Sequence, residues 1–394
     1  MTDWSTPRAS PVSLRRTHEP LRTRLMARNS VVRRLDWVLG FAVVALSVLG
    51  ALLVWSSTRT ASQDAFLKKH LLNFGIGLAL ATVAALVDYS MLRAYAPVVY
   101  IASCIGLIAV LSPLGSTING AHSWIVLPAG FQIQPSEFAK VALVVGMAMI
   151  LGEKRDNESD PRDVDVLLVL ALAAVPMALI MLQPDLGTTM VFVFTILGVL
   201  AVSGAPTRWV AGLVIIGVLG GWGILHYDLL KGYQRERLTA VLNKPDKATL
   251  QKAGYNTDQA VTAIGSGGLW GSGLFHGDST QTRRVPEQQT DFIFTAAGEE
   301  LGFVGSGLIL LLLIVVMYRG MRIAANAGDA FGMIVAAGVV SWFAFQSFVN
   351  IGMTMGIMPV TGLPLPFVSY GGSSMFANMM AIGLLQNVHM RSRD

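Results

Sequence analysis

After a polar opening, the chain becomes a succession of long apolar runs separated by short polar links. The runs fall at 35–55, 70–87, 94–112, 136–151, 164–182, 186–203, 208–226, 291–317, 329–352 and 372–388. Most approach the ~20 residues that an α-helix needs to cross a bilayer. Helices satisfy their own backbone hydrogen bonds in lipid, and the short alternating segments of a membrane barrel are not seen here. The pattern predicts an all-α polytopic membrane protein, with about ten transmembrane helices over 35–390 and a disordered Arg-rich tail at 1–34.

Composition supports this reading, since 53% hydrophobic and 13% charged residues in a 394-residue chain leave too little polar surface for a water-soluble domain. Charge then orients the helices. Lys and Arg gather in the tail, in the links at 88–93, 152–163, 204–208 and 318–328, and at the C-terminal end, whereas 113–135, 183–185 and 353–371 contain none. Positive charge marks the cytoplasmic side, which predicts cytoplasmic N- and C-termini. Parity between helices then makes 227–290 a large extracellular loop between the seventh and eighth helices. The net charge of +5 follows this topology, with no soluble aromatic platform beside it, so it points to anionic membrane lipids and not to nucleic acid. The lone Cys104 excludes an intrachain disulfide and a Cys-based metal site. The histidines lack metal-ligand spacing, and GSGGLWGSG lacks the Lys-Ser or Lys-Thr ending of a phosphate-binding P-loop.

Ionisable residues inside apolar runs are costly and face a bundle interior or a water-filled cavity. Glu137 and Lys140 stand three apart at the start of the fourth helix, either as a structural pair or as a grip on substrate phosphate. Asp185, between the fifth and sixth helices, is either an N-cap or a catalyst. Asp291 opens the eighth helix behind Thr290, which fills the capping role. There a partly desolvated carboxylate becomes a better proton acceptor. Glu299 and Glu300 follow on roughly the same side, two turns deeper. Trp124 reads by default as an interface or packing residue. The glycine-rich AIGSGGLWGSGLF reads as a re-entrant or interfacial element with close backbone packing.

Six strings in order carry a resemblance over most of 35–390: NGAHSWI at 119–125, QPSEFAK at 134–140, QPDLGTT at 183–189, GYNTDQAVTAIGSGGLWGSG at 254–273, PEQQTDFIFTAAGEELGFVG at 286–305 and GLPLPFVSYGGSS at 362–374. Together they resemble the SEDS family (shape, elongation, division and sporulation). The last string, with YQRERLTAVL at 233–242, is more similar to the elongation member than to the division member. The resemblance implies a peptidoglycan glycosyltransferase of the bacterial cytoplasmic membrane. It would polymerise lipid II, an undecaprenyl-diphosphate-linked glycan, at the outer face beside a class B penicillin-binding protein transpeptidase.

The family's catalytic Asp falls on Asp291, which would act as general base. The resemblance also implies substrate contacts at Lys140, Glu137, Trp124, Asp185, Arg283, Arg284, Glu300 and Ser369, with Lys140, Arg283 and Arg284 facing diphosphate. A divalent cation, Mg or Mn, would suit the leaving group, and no metal ligands are assigned. Relatives often carry His two residues before the Asp, where Gln289 stands here, and a basic residue near His122 and Ser123. A lipid II flippase, a division-type polymerase and a noncatalytic scaffold are the competing readings.

Overall fold

The structure is a computed structural model that describes residues 31–62, 64–118, 121–127, 131–153, 161–226 and 253–392. The tail expected at 1–34, apart from its last residues, and the string at 233–242 lie outside them. The chain divides into two units, 1–35 and 36–394. In the first, Val31–Arg34 forms a single helical turn.

In the second unit, every apolar run of the sequence is helical. The helices are α1 (Trp37–Ser62), α2 (Ala65–Leu86), α3 (Tyr89–Leu111), α4 (Pro135–Leu151), α5 (Asp163–Leu182), α6 (Leu186–Val202), α7 (Thr207–His226), α8 (Ala253–Ser266), α9 (Asp278–Gln281), α10 (Ile293–Ala296), α11 (Gly302–Ala325), α12 (Ala330–Thr354) and α13 (Gly372–Arg391). Six spans among the described residues are long and apolar enough to cross a membrane: α1, α2, α3, α5, α12 and the run Ile293–Ala325. Helices cover the apolar runs, whereas length and composition alone support six crossings. Helices α6 and α7 are apolar over shorter stretches, while α4 and α13 differ in their surroundings. Both are buried over most of their circumference, so protein and not lipid surrounds them, and α13 can carry Ser373, Ser374, Asn378, Gln386 and Asn387 inside.

The fold is the expected helical membrane fold, and two features add to it. Gly115–Ile118 (β1), Ala121–Val126 (β2) and Gln132–Ile133 (β3) form a small antiparallel sheet in the order β1-β2-β3. The run at 291–317 is not one regular helix. A π-helical segment, Ala297–Leu301, joins α10 to α11, and Gly302 adopts φ +66°.

Local chemistry sets the helix boundaries. Asp88, Asp185 and Asp329 cap α3, α6 and α12 by accepting N–H groups of Ser90, Thr188 and Gly332. Asn387 satisfies the last carbonyls of α2, donating to Ala84, Ala85 and Val87. At one end of the bundle, buried Asp36 ties three helices together. Its carboxylate accepts from Arg319 of α11 at 2.8 Å, and its backbone N–H and carbonyl both bond Gln386 of α13.

Candidate active site

The segment 355–371, between α12 and α13, is the keystone of the site. Two amides on one face of α12 hold it, four residues apart. Gln346 Nε2 donates to the Pro364 carbonyl at 2.7 Å, and Asn350 Nδ2 donates to the Leu363 carbonyl at 2.7 Å. Helices α1 and α6 approach it closely through glycine. A Cβ on Gly50 would lie 2.5 Å from the Val368 carbonyl oxygen, and one on Gly187 would lie 2.8 Å from that of Thr361.

The same Asn350 amide donates to the backbone carbonyl of Asp291 at 2.8 Å. Asp291 is therefore pinned by its main chain from two directions, because its own N–H donates to the Glu287 carbonyl at 3.1 Å. The residue is partly exposed, while Phe292 to Glu300 beyond it are all buried. Gly362, at φ +74°, lies beside the acid: a Cβ there would stand 3.5 Å from Asp291 Oδ2. Only glycine adopts this turn without strain and keeps the space beside the carboxylate clear.

Asp291 does not open the helix, contrary to expectation. The N–H groups of Thr290, Asp291 and Phe292 all converge on the Glu287 carbonyl, so the chain turns here and helical structure starts at Ile293. Thr290 is not the cap, since its hydroxyl bonds the Glu287 carbonyl, and Phe292 occupies the N-cap position.

Lys140 and Glu137 form a sealed cluster, each 1% exposed. Lys140 Nζ donates to Glu137 Oε1 at 2.8 Å and to Gln346 Oε1 at 3.0 Å, and stands 4.6 Å from the centroid of the Trp342 ring. Trp342 Nε1 donates to the same Gln346 oxygen. The pair is enclosed, and Glu137 Oε2 has no hydrogen-bond partner among the described residues. Helix α12 links the cluster to the Asp291 side, with Gln346 holding one carbonyl of the keystone and Asn350 the next.

The other predicted residues are dispersed. Asp185 is an N-cap, accepting from Thr188 N and Oγ1 at 3.0 and 2.8 Å and from Gln134 Nε2 at 3.2 Å. Ser369 Oγ accepts from Leu365 N, an internal brace of the keystone. Trp124 sits partly buried in β2, opposite Ser116. Arg283 and Arg284 are exposed in the segment leading to Asp291, and Arg284 pairs with Asp278 at 2.7 Å.

Glu300 does not point along a regular helix with Asp291, because the π-helical turn intervenes. Its Oε1 accepts from Ser56 Oγ of α1 at 2.6 Å and from Gln281 Nε2 at 3.2 Å. The glycine-rich element packs closely, as expected, onto this irregular turn. Ser272 N and Gly273 N donate to the carbonyls of Glu299 and Glu300, and Phe303 N and Val304 N donate to those of Gly268 and Leu269. Groups freed by the break are thereby satisfied.

Gln346, Asn350 and Gly362 escaped the sequence reading. Their signal was two amides at i and i+4 in an apolar run and a glycine beside Pro-rich sequence, neither of which carries charge. Among the described residues, no group of three or more His, Cys, Asp or Glu gathers to hold a metal.

Comparison with known proteins adds the family. The family model described as cell cycle protein, FtsW/RodA/SpoVE, matches residues 33–394. Stage V sporulation protein E of Bacillus subtilis is 40% identical over 350 residues, covering 88% of this chain and 93% of that protein. Peptidoglycan glycosyltransferase MrdB of Escherichia coli K12 is 36% identical over 356 residues, covering 90% and 93%. Among solved structures, a chain from a peptidoglycan synthase complex that coordinates polymerization and crosslinking superposes with a TM-score of 0.76 at 32% identity, covering 91% of this chain and 98% of that one. The rod shape determining protein RodA of Thermus thermophilus gives 0.67 at 30% identity, covering 91% and 98%. The chain is a member of the FtsW/RodA/SpoVE family of cell cycle proteins, the SEDS family.

Proposed function

We propose that this protein is a peptidoglycan glycosyltransferase that polymerises lipid II at the outer face of the bacterial cytoplasmic membrane, with Asp291 as general base. The observation that carries this reading is Asp291 itself, partly exposed, pinned at both backbone groups and next to the open flank of Gly362. The carboxylate takes the proton from the 4-hydroxyl of the acceptor sugar as that oxygen attacks the anomeric carbon of the donor. The bond from that carbon to the lipid diphosphate breaks, and the diphosphate leaves as an anion without needing a proton. The proton on Asp291 then passes to solvent. One positioned base is worth typically ~10²- to 10⁴-fold in rate, so a single carboxylate suffices where a glycoside hydrolase needs two.

Because Lys140 is enclosed with Glu137, the exposed Arg283 and Arg284 are the cations that approach the diphosphate. The partner is a class B penicillin-binding protein transpeptidase that crosslinks the new strands, and the cellular role is elongation. Similarity supports the enzyme class more strongly than the role, since relatives named stage V sporulation protein E, MrdB and FtsW reach 40%, 36% and 33% identity.

The test is polymerisation of lipid II by the purified protein with its partner, in the presence of a moenomycin-type inhibitor of the other polymerase class. Glycan strands should form with wild type and disappear with Asp291→Asn, at an unchanged thermal midpoint. Full polymerisation by Asp291→Asn would falsify the base assignment. Lipid transport without polymer would favour the flippase reading.

A further inference from the structure

Glu299 lies on the π-helical segment, 1% exposed, in a span read as membrane-crossing. A carboxylate there is costly unless its oxygens are satisfied, and among the described residues no cation pairs with it. Three donors from one short stretch of the preceding segment satisfy it instead. Oε1 accepts from Ser279 N at 2.7 Å, and Oε2 accepts from Thr280 N at 2.9 Å and Thr280 Oγ1 at 2.7 Å. Having donated its proton to Glu299, the Thr280 hydroxyl accepts from Gln288 Nε2 at 3.0 Å. Thr280 is fully buried and Gln288 is 3% exposed, so water does not substitute for these bonds. Gln288 is the second residue of the turn whose first carbonyl, at Glu287, receives the Asp291 N–H. On the far side, the turn is held by Tyr370 N, which donates to the Gln289 carbonyl at 2.9 Å.

We propose that Glu299 is a positioning residue for the glycosyl transfer: through Thr280 and Gln288 its carboxylate sets the 287–291 turn that presents Asp291. The kinetic part of this proposal rests on the glycosyltransferase reading, and its structural part does not. The irregular helix explains the placement. The π-helical turn and the break at Gly302 let Glu299 and Glu300 both reach the preceding segment, Glu299 to α9 and Glu300 to Ser56 and Gln281. The chemistry explains the residue type. Three donors require an acceptor-only group, and an amide at 299 would set its own N–H groups against at least one of them.

The experiment uses the full-length protein with its class B transpeptidase partner, lipid II as substrate, and hydrogen exchange read by mass spectrometry on the same preparations. Displacing a catalytic group by about 1 Å costs up to ~100-fold. Glu299→Gln should therefore lower kcat roughly 10- to 100-fold, with KM within about twofold of wild type. Thr280→Val and Gln288→Leu should each lower kcat less. The double variant Glu299→Gln/Thr280→Val should be no slower than Glu299→Gln alone, because both cut one linkage. Exchange should quicken at 287–292 and stay unchanged in α13. Unchanged kcat, multiplicative losses, or faster exchange throughout the chain would overturn the proposal. If Glu299→Gln does not fold, Gln288→Leu carries the same two readouts while leaving the carboxylate satisfied. If wild type makes no polymer, the glycosyltransferase reading fails, and exchange at 287–292 still decides whether Glu299 sets the turn.

Discussion

Two of the polar regions inside the apolar bundle share α12, which serves both from one face. Around Lys140, ammonium, carboxylate, amide and indole close on one another out of contact with solvent, with Glu137 Oε2 the one carboxylate oxygen that no hydrogen bond among the described residues reaches. Around Asp291 the main chain is held through Asn350 and the Glu287 carbonyl, and the residue is partly exposed. The first region encloses an ion pair, and the second holds the turn that carries the proposed base. The two are told apart by what each residue controls when it is removed, stability at the first and polymerisation at the second.

The largest effect that could break this comparison is expected at Lys140. Lys140→Met leaves the Glu137 carboxylate buried without its cation, a loss of about 3–5 kcal/mol. The measurement is thermal unfolding in detergent, where the midpoint should fall sharply. Glu137→Gln/Lys140→Met should recover most of it, since removing both charges removes the buried imbalance. A Lys140→Met protein of normal stability with a raised KM for lipid II would instead return Lys140 to the diphosphate and erase the distinction.

Next in size is Asn350→Leu, which leaves the carbonyls of Asp291 and Leu363 without their amide donor. Each unsatisfied buried group costs ~1–3 kcal/mol, and the keystone segment loosens on the Asp291 side while Gln346 still holds Pro364. Polymerisation should fall further than the midpoint predicts. Equal loss of activity in Asn350→Leu and in a Gln346→Leu control of matched stability would show that the two halves of the face are not distinct.

Legibility followed the range of the interactions. Apolar runs are local, so the helix of each run was visible while α8 and α9 were not, and the N-cap was one of the two readings at Asp185 because its partner Thr188 is three residues away. The small sheet was not, since Gly115–Ile118 and Ala121–Val126 are short and alternate weakly beside Gly and Pro. The break at Ala297–Leu301 was hidden because the run is apolar on both sides of it, and hydropathy averages across such a turn. Glu299 and Glu300 were conspicuous as charges, but their partners, at 279–281 and at Ser56, are set by tertiary structure. Asp291 was singled out from its chemistry and the family string, whereas Asn350, which bonds its carbonyl, carries no charge to draw notice.

The smallest effects belong to the exposed cations before Asp291, and they test the comparison from the solvent side. Arg284 and Asp278 pair at 2.7 Å with side chains 51% and 70% exposed, so Arg284→Ala should change stability by less than ~1 kcal/mol. Arg283 is also exposed and has no ion-pair partner among the described residues. Arg283→Ala should therefore raise the KM for lipid II more than Arg284→Ala, by about fivefold at most if the contact contributes under ~1 kcal/mol. Raising the salt concentration should shrink this difference, because solvated charges are screened within ~8–10 Å near physiological ionic strength. The stability loss of Lys140→Met should not respond to salt in that way, because its charge partner is enclosed. A salt-insensitive KM effect at Arg283 would place that arginine in a desolvated phosphate site and make it the counterpart of Lys140 on the chemical side of the bundle.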